Sequence, residues 1–353
     1  MIMEHFKLKN MKALKIILLH FLVLSCFSVN ATDIGGQVIF KHDKINQKVD
    51  VFIDKKYFTS YLYSNDLEKQ VLFPIFTASG KDITRGFPLA PRPFERTDHP
   101  HHIGLWFNFG DVNGLDFWNN SLTIKPENKH KYGSIKFIKI KNINASKGKL
   151  QTLAAWIDNE GKKLLEENTT FIFSENNGLR SIERITQLTS KQKEVIFTEN
   201  KEGLIGLRVD RAFEEPSQKA ERYLDSNGNM TETPVLNNEG VNGVYRNAEG
   251  VTGSDVWSKK SKWVALHADK SGEIITIVMF DNEKNPNYPA WSHARGYGLF
   301  AMNNLAGKAV DKDSPSVKIT LKKGEKITFR HKIIIGGNLS DSQIDNMANN
   351  FNR

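Results

Sequence analysis

Between Arg85 and Asn119 the chain reads RGFPLAPRPFERTDHPHHIGLWFNFGDVNGLDFWN. Three histidines (His99, His101 and His102) fall within four residues. They stand beside Arg85, Arg92 and Arg96, the carboxylates Glu95, Asp98, Asp111 and Asp116, and Trp106 and Trp118. Imidazoles this close together suit a general base with an orienting partner, a metal site, or donors to a sugar. Pro100 cannot donate to a ladder, so the segment is expected at a strand entry, an edge or a loop. Extended backbone would place His99 and His101 on one face, with Asp98 and His102 on the other.

A second polar-aromatic stretch, Tyr288-Pro289-Ala290-Trp291-Ser292-His293-Ala294-Arg295-Gly296-Tyr297, is the expected partner. If extended, it points Trp291, His293, Arg295 and Tyr297 the same way. That face offers a base, a fixed cation and a phenol. Arg295 would clamp a carboxylate or sulfate, or else neutralise Asp111 or Asp116. Trp106, Trp118 and Trp291 are read as platforms for the apolar faces of sugar rings, against core packing as the alternative.

No cofactor is required by this chemistry. If a divalent metal is held, His99, His101 and His293 are the ligands to expect, although their spacing matches no zinc pattern. Asp111-Val112-Asn113-Gly114 has turn composition and lacks the ligands of a calcium loop. The chain shows no phosphate-binding loop, dinucleotide fingerprint or nucleophile elbow.

The elements that must position these residues are mostly strands. Short β-branched or aromatic runs recur about every ten residues between Gly, Asn and Asp, from Gln37–His42 to Ile327–Ile335. Ile103–Phe109 alternates, with Leu105, Phe107 and Phe109 opposite Trp106 and Asn108. The pattern predicts an all-β fold, a large sandwich of antiparallel sheets. One short C-terminal helix is expected after Ser340, where Ser340 and Gln343 form a capping box and Ile344, Met347, Ala348 and Phe351 recur at helical spacing. Residues 211–262 have weak periodicity and are expected to form a loop-rich excursion covering the site.

Hydrophobic residues make up 39% of the 353 and charged residues 25%, enough for a sizeable core. Residues 1–31 run from lysines through an apolar segment to Val29-Asn30-Ala31, the order of a secretory signal. The expected organisation is a leader over 1–31 and a single sandwich domain over 32–353, with a periplasmic or secreted destination. Cleavage near Ala31 is preferred to lipid anchoring at Cys26, the sole cysteine. No later stretch is apolar for the roughly eighteen residues of a membrane span. The formal charge of +9 suits an anionic partner, but no basic run is interleaved with aromatics as nucleic-acid binding would require.

The two clusters resemble the PmoA-like family of bacterial exported proteins. The resemblance is carried by Thr84-Arg85-Gly86-Phe87-Pro88, Glu95 to His102, Gly104-Leu105-Trp106, Gly110 to Gly114, Asp116-Phe117-Trp118 and Trp291 to Phe300. It implies a galactose-mutarotase-like supersandwich from a bacterium that degrades polysaccharides. The family is often labelled methane oxygenase, an activity that would need membrane spans and a copper site.

The expected function is a carbohydrate-active enzyme working on glycan fragments of acidic character by proton transfer: β-elimination (lyase or dehydratase) or epimerisation. His101 or His293 would be the base, Tyr297 the acid, and Arg96 or Arg295 the anion's partner, with His99 and His102 binding or orienting. Asp111, Asn113, Asp116, Trp106, Trp118 and Trp291 would hold the sugar. The alternatives are a hydrolase using a carboxylate pair among Asp98, Asp111, Asp116 and Glu183, or a carbohydrate-binding protein without turnover.

Overall fold

Alternation of apolar and polar residues dictates most of the architecture seen in the computed structural model, which describes residues 36–353. The leader expected over residues 1–31, with Cys26, lies outside the described residues. In chain order the strands are β1 (Val38–Asp43), β2 (Lys48–Ile53), β3 (Lys56–Leu62), β4 (Val71–Ile75), β5 (Leu105–Phe109), β6 (Ser134–Asn144), β7 (Lys149–Ile157), β8 (Lys163–Asn176) and β9 (Leu179–Ser190). They continue as β10 (Glu194–Thr198), β11 (Gly203–Arg208), β12 (Val244–Asn247), β13 (Trp263–Lys270), β14 (Glu273–Asp281), β15 (Trp291–Ser292), β16 (Leu299–Asn303), β17 (Lys318–Lys322) and β18 (Lys326–Gly336).

Two eight-stranded antiparallel sheets form, ordered β1-β2-β3-β4-β5-β11-β16-β15 and β12-β13-β14-β18-β9-β8-β7-β6, with β10 and β17 pairing as a ribbon. Their inner faces share one core. From the first sheet it takes Val49, Val51, Phe58, Leu105, Phe107, Phe109, Ile205 and Met302. From the second it takes Trp156, Phe171, Phe173, Leu266, Ile277, Met279 and Ile333. The expected all-β sandwich is the observed fold.

Each sheet also has an apolar outer face that needs cover. On the second sheet α1 (Asp341–Asn352) supplies it: Ile344, Ala348 and Phe351 pack on Trp263, Ala265, Val278 and Phe280. Ser340 and Gln343 form the expected capping box. On the first sheet the cover is a loop. Trp106, Leu299 and Ala301 project outward, where Ile103 and Trp118 pack on them.

The excursion over 211–262 is not a free linker. Phe94 and Leu224 exchange backbone hydrogen bonds with each other's segment: Phe94 N–H donates to Leu224 O, and Leu224 N–H to Glu95 O. Arg211 donates to Phe94 O and lies over the Tyr223 ring. The excursion therefore fastens the start of the histidine segment.

Candidate active site

The His99–His102 segment is a turn, one of the settings expected from Pro100, and so does not take the extended form that would put His99 and His101 on one face. His99 has φ of +45°, and His102 N–H donates to His99 O at 3.0 Å. The cause is Arg85, a side chain only 1% exposed. Its Nη1 donates to Asp98 O and Asp98 Oδ1, both at 2.8 Å, and its Nη2 to His99 O and His102 O at 3.0 and 3.1 Å. One guanidinium thus gathers the carbonyls of the turn. As a result His99 and His102 stack face to face (centroids 4.9 Å, 6°), and His101 lies edge-on against both.

The second cluster does meet the first. His293 N–H donates to Ala301 O and Arg295 N–H to Leu299 O, so the segment runs back along β16 as a hairpin whose turn carries Tyr297. The Tyr297 ring stacks on His99 (4.9 Å, 7°), and His293 lies nearly parallel to Trp118 at 6.1 Å. His102 in turn stacks on Trp106 at 5.2 Å. The result is a short column of near-parallel rings on the outer face of the first sheet, in which His102 rests on Trp106 and both His99 and Tyr297 lie close to His102, at 4.9 and 6.4 Å. Gly206 sits across from Trp106 in the ladder, and a Cβ there would come within 2.5 Å of the indole. A glycine is what lets the indole lie flat on β11.

Asp98 organises the exposed end of the column. It accepts from Arg208 Nη2 at 2.6 Å and from Arg85, while Oδ2 lies 2.5 Å from His99 Nδ1. Burial works against its charge. Arg208, the His99 hydrogen bond and Arg85 outweigh that and hold the carboxyl well below its ordinary range. A carboxylate only accepts, so His99 Nδ1 carries a hydrogen, and in the neutral imidazole the lone pair is then on Nε2. The His99 side chain remains 40% exposed.

The other histidines have different surroundings. Burial, then Lys69 and neighbouring cations, push His101 down to about 2. Burial and His101 push His102 well below the usual imidazole value. Burial takes His293 down to about 4, against the opposing pull of Glu202. All three are neutral at ordinary pH and hidden from solvent, so neither His101 nor His293 is placed as the exposed base that the sequence suggested. His102 Nδ1 faces Arg208 Nη1 at 3.4 Å and must accept, which leaves its hydrogen on Nε2. Five buried ring nitrogens in this cluster lack a hydrogen-bond partner, His101 Nε2, His102 Nε2, Trp106 Nε1, Trp118 Nε1 and His293 Nδ1, as do the Nε atoms of Arg85 and Arg208.

Several expected roles find other work. Arg96 is committed to Glu214 at 2.7 Å and to Glu221, and lies over Tyr223, because the excursion supplies the anions. Asp111 accepts from Gly114 N–H, and Asn113 joins Ile196 through its backbone N–H and side-chain oxygen. Asp116 accepts from the backbone N–H groups of Trp118 and Asn119. These three fix turns, and Asp116 sets the position of Trp118. Trp106, Trp118 and Trp291 are at most 3% exposed, pinned between sheet and loop, so they are not open platforms. Trp291 belongs to the main core, with Lys260 above its ring at 4.3 Å. Among the described residues no three His, Cys, Asp or Glu side chains are grouped to hold an ion, so His99, His101 and His293 do not form a ligand set. Arg295 pairs with neither Asp111 nor Asp116. It lies over Trp257 at 4.2 Å and makes no ion pair among the described residues.

Sequence reasoning missed Arg208 and Lys69. Arg208 closes β11, where Leu204, Ile205 and Leu207 are wholly buried, and a charge in such a strand is the signal that could have found it. Its guanidinium lies beneath Tyr297 at 5.0 Å. Tyr297 is pushed up to about 12, chiefly by burial, so its phenol keeps its proton.

A β-sandwich whose outer sheet face carries an arginine-clamped histidine–tyrosine stack is the class this geometry defines. Residues 48–349 match the model of the "Family of unknown function (DUF6807)", and the chain belongs to that family. No curated protein matches. Solved structures with some similarity include a GH36 α-galactosidase from Geobacillus stearothermophilus (8% identity, TM-score 0.39, 84% of this chain and 40% of that one). Another is a galactose mutarotase-like protein from Clostridium acetobutylicum (12%, 0.36, 86% and 99%). A third is a mutant heparan sulfate lyase from Pedobacter heparinus (9%, 0.31, 88% and 36%). The chain spans about two fifths of the length of the galactosidases. No helix among the described residues is long and apolar enough to cross a membrane.

Proposed function

We propose that the chain is an exported carbohydrate-active enzyme that moves protons on an acidic glycan fragment, by β-elimination or the related epimerisation, with His99 as the base. The observation that carries this reading is the placement of His99: oriented by an ionised Asp98, stacked on Tyr297, and the one histidine of the cluster open to solvent. An imidazole so held is suited to take a proton from a carbon beside a sugar carboxylate. The C–H electrons then form a double bond to the neighbouring carbon. The bond from that carbon to the glycosidic oxygen breaks, and the departing oxygen takes a proton from Tyr297. Arg295 is available for the sugar carboxylate and the charge that builds on it. Hydrolysis by a carboxylate pair is less well supported. Asp98 is bound by two arginines, Asp111 and Asp116 cap turns, and Glu183 pairs with Arg330 at 2.8 Å.

The test is incubation with a panel of uronate-containing oligosaccharides. Elimination gives an unsaturated, ultraviolet-absorbing product, and the product masses add up to that of the substrate, whereas hydrolysis adds a water. His99→Gln is expected to lower turnover by roughly 10²–10⁴-fold. Wild-type rates in His99→Gln, or products that have gained water, would overturn the reading.

A further inference from the structure

His101 borders a cavity of about 490 Å³ that neither His99 nor Tyr297 lines. Leu67, Ile103 and Leu122 supply apolar wall, Lys69 lies on the lining beside His101, and the lining also carries Glu68 and the exposed Asp66. The Lys69 side chain is only 4% exposed. Its Nζ donates to His101 O at 2.7 Å and lies 5.5 Å from the centre of the Trp106 ring. Lys69 makes no ion pair among the described residues. The adjacent Glu68 is occupied by Lys129, Lys136 and Ser134. His101 is on the same lining, and its Nε2 is buried without a hydrogen-bond partner.

An ammonium group carries three hydrogens, and this one spends a single one on the protein. Burying a cation without a counter-ion is costly, and burial accordingly pulls Lys69 down to about 7. An anion delivered by a ligand would relieve that cost. Lys69 is the one lysine or arginine on a lining that is apolar over most of its area, which suits one negative charge on a mainly apolar body seated at Lys69 and away from Asp66. We propose that this cavity is a second ligand site, for an apolar monocarboxylate whose carboxylate meets Lys69 Nζ and His101 Nε2 and whose body lies along Leu67, Ile103 and Leu122. Contact between Lys69 and Trp106 joins the site to the column beneath His99, and the inference does not depend on His99 being a base.

Calorimetric titration of the whole chain with hexanoate, 1-hexanol and sulfate tests the proposal without any glycan. Hexanoate should bind at least about tenfold more tightly than either control, since charge-assisted hydrogen bonds and apolar burial are both needed. Lys69→Met should abolish the preference for hexanoate over hexanol. Leu122→Asp, at a rim position 67% exposed, should weaken hexanoate while the fold persists. Failure of hexanoate to bind the wild type, or no preference over hexanol, overturns the proposal. So does unchanged hexanoate affinity in Leu122→Asp, which decides the matter if Lys69→Met does not fold.

Discussion

The outer faces of the two sheets solve one problem in opposite ways. On the second sheet α1 covers the apolar face, and polar atoms are paired as they are buried: Trp263 Nε1 donates to Asp345 at 2.9 Å, and Lys262 meets the same carboxylate. On the first sheet a loop covers the face, and the indole nitrogens of Trp106 and Trp118 are buried unpaired. Buried polar groups are nearly always satisfied where a surface serves stability alone. The contrast marks the helix-covered face as scaffold and the histidine-covered face as the place where stability has been given up. The same lesson holds for single imidazoles. His331 in the core meets Asn304 at 3.1 Å and Asp281 at 3.5 Å, whereas His293 leaves Nδ1 without a hydrogen bond.

The strongest way to break the comparison is Arg85→Met. It strands Asp98 and the carbonyls of Arg96, Asp98, His99 and His102 at the heart of the loop cover, and should cost about 3–5 kcal/mol because a buried charge loses a partner. Urea denaturation of the variant decides it, and a loss under about 1 kcal/mol would mean that the turn holds itself. A second handle is acid. The folded His293 takes its proton only near 4, while the unfolded chain takes it near 6.5. The unfolded state therefore binds more protons between those values. The stabilising contribution is complete above about 6.5 and lost as pH falls towards 4, about 3 kcal/mol in all. His293→Gln should flatten that slope yet cost little at neutral pH. His331→Gln should instead cost stability at neutral pH, by leaving Asp281 and Asn304 short of a partner. Equal losses at neutral pH in the two variants would erase the distinction between His331, bonded to Asn304, and His293, whose Nδ1 is left without a hydrogen bond. The smallest effect belongs to the scaffold: Asp345→Ala should cost about 1 kcal/mol in thermal unfolding and leave glycan turnover unchanged.

Much of the scaffold was legible in the sequence because period-two alternation is local. The alternating run Ile103–Phe109 holds β5, and α1 followed from its capping box. β15, two residues long, and β12, inside the excursion, carried too little pattern to read. The two site segments were recognised by composition, and their contact through His99 and Tyr297 was as expected. The roles within them were not legible. Arg85 bends the His99–His102 backbone from 14 to 17 residues away in sequence, which undoes the faces that an extended reading assigns. The excursion brings Glu214 to Arg96 across 118 residues. Neither effect leaves a periodic trace.

The Arg85 clamp also bears on how a ligand would be received. A surface loop normally loses motional freedom when it closes on a ligand, and that loss weakens binding. Here the ordering is completed when the chain folds, because the guanidinium already holds Asp98, His99 and His102 together. Recognition at this face should therefore resemble a key entering a finished lock. Its thermodynamic signature would come from displaced water and from the ligand's own stiffening, with little contribution from the loop.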